Sequence, residues 1–145
     1  MKISVLVEFL NGICDANSLA KDLEGGVVQT SHDGVSYYVD EDYTEDFFVT
    51  TEHLVKICDS FTDKLIDAEM VQQITFAMMC SDYLEWDSDT PDGERVAEVI
   101  GMWDTPEISY QITNSTIPKF RRYLSSGEDI FNRDDLTPDS YFKRR

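Results

Sequence analysis

Apolar and polar positions change their rhythm near residue 50. Before it, short apolar runs are separated by turn formers; after it, apolar residues return every three or four positions. Ile3 to Leu10 is rich in β-branched and apolar residues, which predicts a strand. Asp15 or Asn17 offers an N-cap to a short helix through Leu23, stopped by Gly25-Gly26. Val27 to Thr30 and Val35 to Val39 flank His32-Asp33-Gly34, and Asp-Gly between β-formers predicts a hairpin. Phe47-Phe48-Val49 suits a further short strand or a buried lead-in to the next element.

From Thr50 or Thr51, each a suitable N-cap, Leu54, Val55, Ile57, Cys58 and Phe61 recur at helical spacing. Asp67 precedes a second helix whose wide apolar stripe, Met70, Val71, Ile74, Ala77, Met78 and Leu84, makes it the most buried one expected. Thr90-Pro91 starts a third, with proline in its first turn and Val96, Val99, Ile100 and Trp103 on one face. Pro106 forces a break, and Ile108 to Thr113 reads as extended. Thr116-Ile117-Pro118 opens a last helix through Ile117, Phe120, Tyr123 and Leu124, and Gly127 ends it.

Strands in front and helices behind predict an α+β fold: a small N-terminal antiparallel sheet or hairpin packed against a C-terminal bundle of about four helices. With no internal repeat and no Gly/Ser linker, one domain is expected over residues 1–145. Within it, 1–50 reads as mainly strand with one short helix, 51–127 as mainly helical, and 128–145 as an irregular tail ending in Lys143-Arg144-Arg145.

Composition changes this picture in one respect. Hydrophobic residues make up 41% of the chain, enough for a core and against intrinsic disorder. The charge is the outlier: 12 Lys and Arg face 29 Asp and Glu, a net −17. The excess is uneven. Residues 26–94 carry only Lys56 and Lys64 against 17 acids, whereas residues 95–145 balance eight basic groups with eight acidic ones. Such a surplus repels nucleic-acid phosphates and anionic membranes, both of which are bound through Lys and Arg. No apolar stretch approaches the length of a membrane span, and Glu8 cuts short the apolar run that a secretory signal needs, so a cytoplasmic location is expected. Cys14, Cys58 and Cys80, an odd count without CxxC spacing and set among apolar neighbours, read as buried free thiols in a reducing compartment.

Candidate chemistry is sparse. His53 and Cys58 would stand about 140° apart on a helix, too far round for a dyad. His32 sits beside a predicted turn, and there is no GxSxG elbow, GxGxxG or P-loop. Around Asp87, an EF-hand register would put Asp89 at the third position and Glu98 at the twelfth, but Pro91 and Asp92 fall where a ligand and a glycine belong. An acidic turn capping the helix at Pro91 accounts for the same residues. Lys119, Arg121 and Arg122 face local acids, as a salt-bridged surface would. No catalytic residue, metal ligand or cofactor is assigned.

Two acidic stretches with embedded aromatics remain: Asp40-Glu41-Asp42-Tyr43-Thr44-Glu45-Asp46 and Asp82-Tyr83-Leu84-Glu85-Trp86-Asp87-Ser88-Asp89. All of these except Thr44, Leu84 and Ser88 are candidate partner-binding residues. Tyr and Trp are enriched at the centres of protein interfaces, and carboxylates steer a basic partner inward. Whether the two stretches adjoin is not visible in the sequence.

Taken together, Phe9-Leu10-Asn11-Gly12, Leu23-Glu24-Gly25-Gly26, Ser81-Asp82-Tyr83-Leu84-Glu85-Trp86 and Thr105-Pro106-Glu107-Ile108 give a chain that resembles the immunity proteins of bacterial contact-dependent inhibition and related polymorphic toxin systems. The resemblance implies a small cytoplasmic binding protein that is no enzyme. Its partner would be a basic, often nuclease-like, toxin domain whose active surface it covers. It carries over no site residues. The competing expectations are a carboxylate- or metal-dependent hydrolase using Asp82, Glu85, Asp87 and Asp89, and a structural or assembly subunit kept soluble by its charge.

Overall fold

Six α-helices dominate the described residues, in the order α1 (Ile3–Leu10), α2 (Ala16–Glu24), β1 (Val27–Gln29), β2 (Val35–Tyr37), β3 (Phe47–Phe48), α3 (Thr51–Thr62), α4 (Ala68–Cys80), β4 (Leu84–Glu85), α5 (Pro91–Asp104) and α6 (Ile117–Ser126). A short 3-10 turn, Arg133–Asp135, follows. The computed structural model describes residues 1–24, 26–29 and 35–137; Gly25, His32, Asp33-Gly34 and Lys143-Arg144-Arg145 lie outside them.

The expected α+β architecture is overturned. The molecule is mainly helical, and residues 1–50 are not mainly strand, because two of the six helices lie there. Among the described residues the strands form two two-stranded ribbons: β1 with β2, antiparallel, and β3 with β4, parallel. Neither is a layer against which a bundle could pack.

The decisive difference is Ile3–Leu10, which is a helix and not a strand. Its apolar residues satisfy both periods, alternating at 3, 5, 7 and 9 but also falling at 3, 6, 7 and 10 on one helical face. Packing chose the second: Ile3, Leu6, Val7, Phe9 and Leu10 are buried. The helix begins without a capping side chain of its own, and two distant carboxylates supply the missing acceptors. Asp22 accepts from the Lys2 N–H at 2.7 Å, and Asp42 accepts from the Ser4 N–H at 2.8 Å and from its hydroxyl at 2.7 Å. At the other end, Lys56 on α3 lies over the Phe9 ring, 4.7 Å from its centroid, and donates to the Phe9 carbonyl at 2.5 Å. One of the two basic groups of the acidic segment is thus consumed in holding α1 to α3.

Local signals set the remaining helices. Asp15 accepts from Ser18 N at 2.8 Å at the start of α2, and Asp67 from Met70 N at 2.9 Å at the start of α4. Thr90 accepts from Gly93 N at 3.0 Å to open α5, and Gly127, at φ 79°, closes α6 in the left-handed region that suits glycine. α3 packs on both α5 and α6, and α4 packs on α2, α3 and α5. Trp103 meets Phe120 edge-on at 5.6 Å in the shared core. Buried Gln73 on α4 donates to the Leu23 carbonyl at 2.9 Å, closing the C-terminal turn of α2. Leu84, expected on the stripe of α4, lies beyond its end in β4.

Candidate partner-binding surface

β3 and β4 hold the two acidic stretches side by side. Phe47 pairs with Leu84 and Phe48 with Glu85; the Phe47 N–H donates to the Tyr83 carbonyl at 2.9 Å and the Val49 N–H to the Glu85 carbonyl at 2.8 Å. The segment 40–46 runs into β3 while 82–83 runs into β4, so the acids enter the ribbon from the same end. Ser81 clamps that end by donating its hydroxyl to Glu41 at 2.6 Å.

The connection between the strands explains the parallel pairing. α3 and α4 intervene, and two strands separated by helices can return to the same direction, which a tight turn would not allow. α3 starts directly after β3. The Thr50 N–H donates to Nδ1 of His53 at 2.9 Å, and Asp92 accepts from Thr51 N at 3.3 Å and Oγ1 at 2.6 Å, tying the first turn of α3 to that of α5.

The period-two rule sorts the side chains of the ribbon. Val49 and Leu84 are 3% and 4% exposed, and Phe47 and Trp86 pack against the core. On the opposite side Phe48 is 58% exposed beside exposed Asp46 and Glu85 and half-buried Tyr83. Of the aromatics singled out from the sequence, Tyr43 and Trp86 therefore serve the core. Phe48, which the sequence placed in a short strand or a buried lead-in and not among the partner-binding residues, is the ribbon aromatic presented to solvent. Alternation across Phe47-Phe48-Val49 is the signal that would have found it, since consecutive extended residues face opposite sides.

The acidic residues fall into two groups. Asp42 caps α1, Glu41 holds Ser81, and Asp87 accepts from Asp89 N at 3.0 Å within the turn before α5, so these three are tied to the fold. Asp40 exchanges backbone bonds with Met1 and Ile3. Glu45, Asp46, Asp82, Glu85 and Asp89 are exposed. Among the described residues none of these nine carboxylates enters an ion pair. The nearby cation is Lys2, which neighbours Asp40 in a parallel bridge and helps hold Asp42 ionised.

Three cations elsewhere are paired. Lys119 pairs with Asp135 at 2.6 Å, Arg121 with Asp59 at 2.7 Å and Arg122 with Glu128 at 2.9 Å. Asp59 lies eight residues along α3 from its first residue, about 12 Å at the helical rise, which exceeds the ~8 Å screening length of physiological salt.

Titration behaviour follows burial and bonding. Partial burial works to raise the Asp42 carboxyl, but the two bonds from Ser4 outweigh it and hold it below its ordinary value. Burial, first of all, lowers His53, whose ring also stacks obliquely on Phe47 at 5.1 Å. Burial pushes the Cys58 thiol up to about 12, away from thiolate chemistry; of the three thiols expected to be buried, Cys14 is only half-buried and Cys80 is exposed. Glu98 accepts from the Tyr123 hydroxyl, a bond that, with burial, pushes the phenol up to about 12. Glu98 thereby faces α6 and does not join Asp87 and Asp89, and the sequence register resembling a calcium loop is not assembled. Among the described residues, no three of His, Cys, Asp and Glu gather as metal ligands would.

No helix among the described residues is long and apolar enough to cross a membrane. Compared with known protein families, curated proteins and solved structures, the chain matches none.

Proposed function

We propose that this chain is a cytoplasmic binding protein of the immunity type, which neutralises a basic toxin domain by laying the acidic β3–β4 ribbon over its active surface. The observation that carries the reading is the parallel pairing of β3 with β4, which sets two acidic stretches far apart in sequence side by side, with Phe48 in register with Glu85. Like charges gathered without counter-charges raise the local negative potential, and such a field speeds and orients the approach of a cationic partner. The buried Val49 and Leu84, with Phe47 packed half-buried beside them, anchor that face to the core, so little ordering is required on binding.

The test starts from the gene neighbour. Where the gene directly upstream encodes a large secreted protein with a variable C-terminal domain, that domain, produced inside a bacterial host, arrests growth, and co-production of this chain restores it. The purified pair then weakens steeply with salt, and the combined substitution Glu45→Gln, Asp46→Asn, Glu85→Gln and Asp82→Asn weakens it further at low salt. A toxin neutralised with no dependence on salt or on these carboxylates would remove the reading.

A further inference from the structure

We infer that the outward face of the β3–β4 ribbon is an arginine-selective subsite, in which a guanidinium of the basic partner stacks on Phe48 while its N–H groups meet the carboxylate of Glu85. The inference rests on the proposed function above and names the side chain that its central contact would take.

The argument begins with Phe48. It is 58% exposed between the two acidic stretches, although its neighbours turn inward: Phe47 packs half-buried against the core and Val49 is buried in it. An isolated surface phenylalanine needs no explanation, but this one stands in register with Glu85 on the neighbouring strand. Paired residues of adjacent strands project from the same face at close spacing. A flat aromatic ring thus lies next to an unpaired carboxylate, with Asp46 two residues before it on its own strand.

The two groups ask for different properties of a ligand. A carboxylate accepts any cation. A phenyl face prefers a planar, delocalised and weakly hydrated one, because stacking requires shedding water from the side chain that stacks. Arginine meets both demands at once, with a planar fork that offers paired N–H donors to Glu85 and a flat surface to Phe48. Lysine meets the first fully and the second poorly, because its ammonium is compact and strongly hydrated. The acids surrounding the site specify the sign of the occupant, and the aromatic specifies its shape. The occupant is therefore an arginine-bearing basic segment, and not an apolar helix or a second copy of this acidic chain.

The experiment uses the full chain, isotopically labelled, titrated with an arginine octapeptide and with a lysine octapeptide at low salt. Both peptides are expected to bind. The arginine peptide should bind about 2–5-fold tighter, the gain of an exposed cation–π contact, and should shift the Phe48 and Glu85 amides most. Phe48→Leu should abolish the difference by bringing the arginine-peptide affinity down to that of the lysine peptide, and Glu85→Gln should weaken both peptides. Equal affinities in the native chain, or a preference for arginine that survives Phe48→Leu, would overturn the subsite and leave the acidic surface standing. Binding of neither peptide would overturn the acidic surface itself. Phe48 is exposed and leucine retains its apolar character, so loss of fold does not confound the variant.

Discussion

His53 shows how one side chain can hold two elements together. Its Nδ1 accepts the Thr50 N–H at 2.9 Å, closing the first turn of α3, and its ring lies against Phe47 of β3. Protonation would convert that acceptor into a donor facing another donor. Burial already lowers its pKa below the ordinary value. A histidine depressed in the fold takes up its proton more readily when unfolded, so stability should fall as pH drops through about 6.5 toward the folded value. Urea midpoints measured between about pH 7.5 and about pH 5.5 should decline in the native chain and decline less in His53→Gln; equal slopes would exclude His53 as the cause. Gly93 makes a steric point of the same kind. A Cβ there would lie 1.7 Å from the Asp87 carbonyl oxygen, a backbone atom that cannot swing aside. Gly93→Ala should therefore cost at least the ~1–3 kcal/mol of an overpacked site and displace the 87–90 turn, visible as lowered thermal stability with altered amide shifts at Asp87 and Asp89.

At the scale of elements, α1 depends on acceptors from other parts of the chain. Asp42→Asn keeps an acceptor but loses the charge at the positive end of the helix, whereas Asp42→Ala loses both. The alanine variant should lose about 0.5–2 kcal/mol, the range of a removed N-cap, and the asparagine variant less, as chemical denaturation would report. Because bonding holds Asp42 below its ordinary pKa, its contribution is complete above about pH 3.9 and disappears as pH falls through the folded value. The difference between native chain and Asp42→Asn should close in acid. Legibility in the sequence divides along the same line. Elements stabilised by their own residues could be read directly: Asp67 before α4, Thr90-Pro91 before α5, Gly127 after α6. α1 could not, because its apolar residues fit two periods and its caps, Asp22 and Asp42, come from 20 and 38 residues away. The same limit applied to the surface. Both acidic stretches stood out in the sequence, but their adjacency depends on a pairing across α3 and α4. Tertiary packing alone turned Tyr43 and Trp86 against the core, and the ribbon's pleat turned Phe48 away from it.

At the scale of the whole molecule, charge is segregated. The cations of α6 find partners in Asp59, Glu128 and Asp135, and Lys56 is absorbed beneath α1, so the ribbon is left with Lys2 as its neighbouring positive group. The free protein bears the resulting repulsion itself. Raising salt from about 0.01 M to about 1 M contracts the screening length from ~30 Å to ~3 Å, and the urea midpoint of the isolated chain should rise over that range. A flat or falling midpoint would mean that the ribbon acids do not strain the fold.

The parallel pairing of β3 with β4 thus stores an internal tension, since it brings into register two runs that would separate if each were free to do so. An oppositely charged ligand would relieve this, acting as a counter-ion as well as a target. The conditions that make the solitary chain sturdiest should be those in which it grips least, and the complex should melt higher than the isolated chain by the widest margin in dilute buffer.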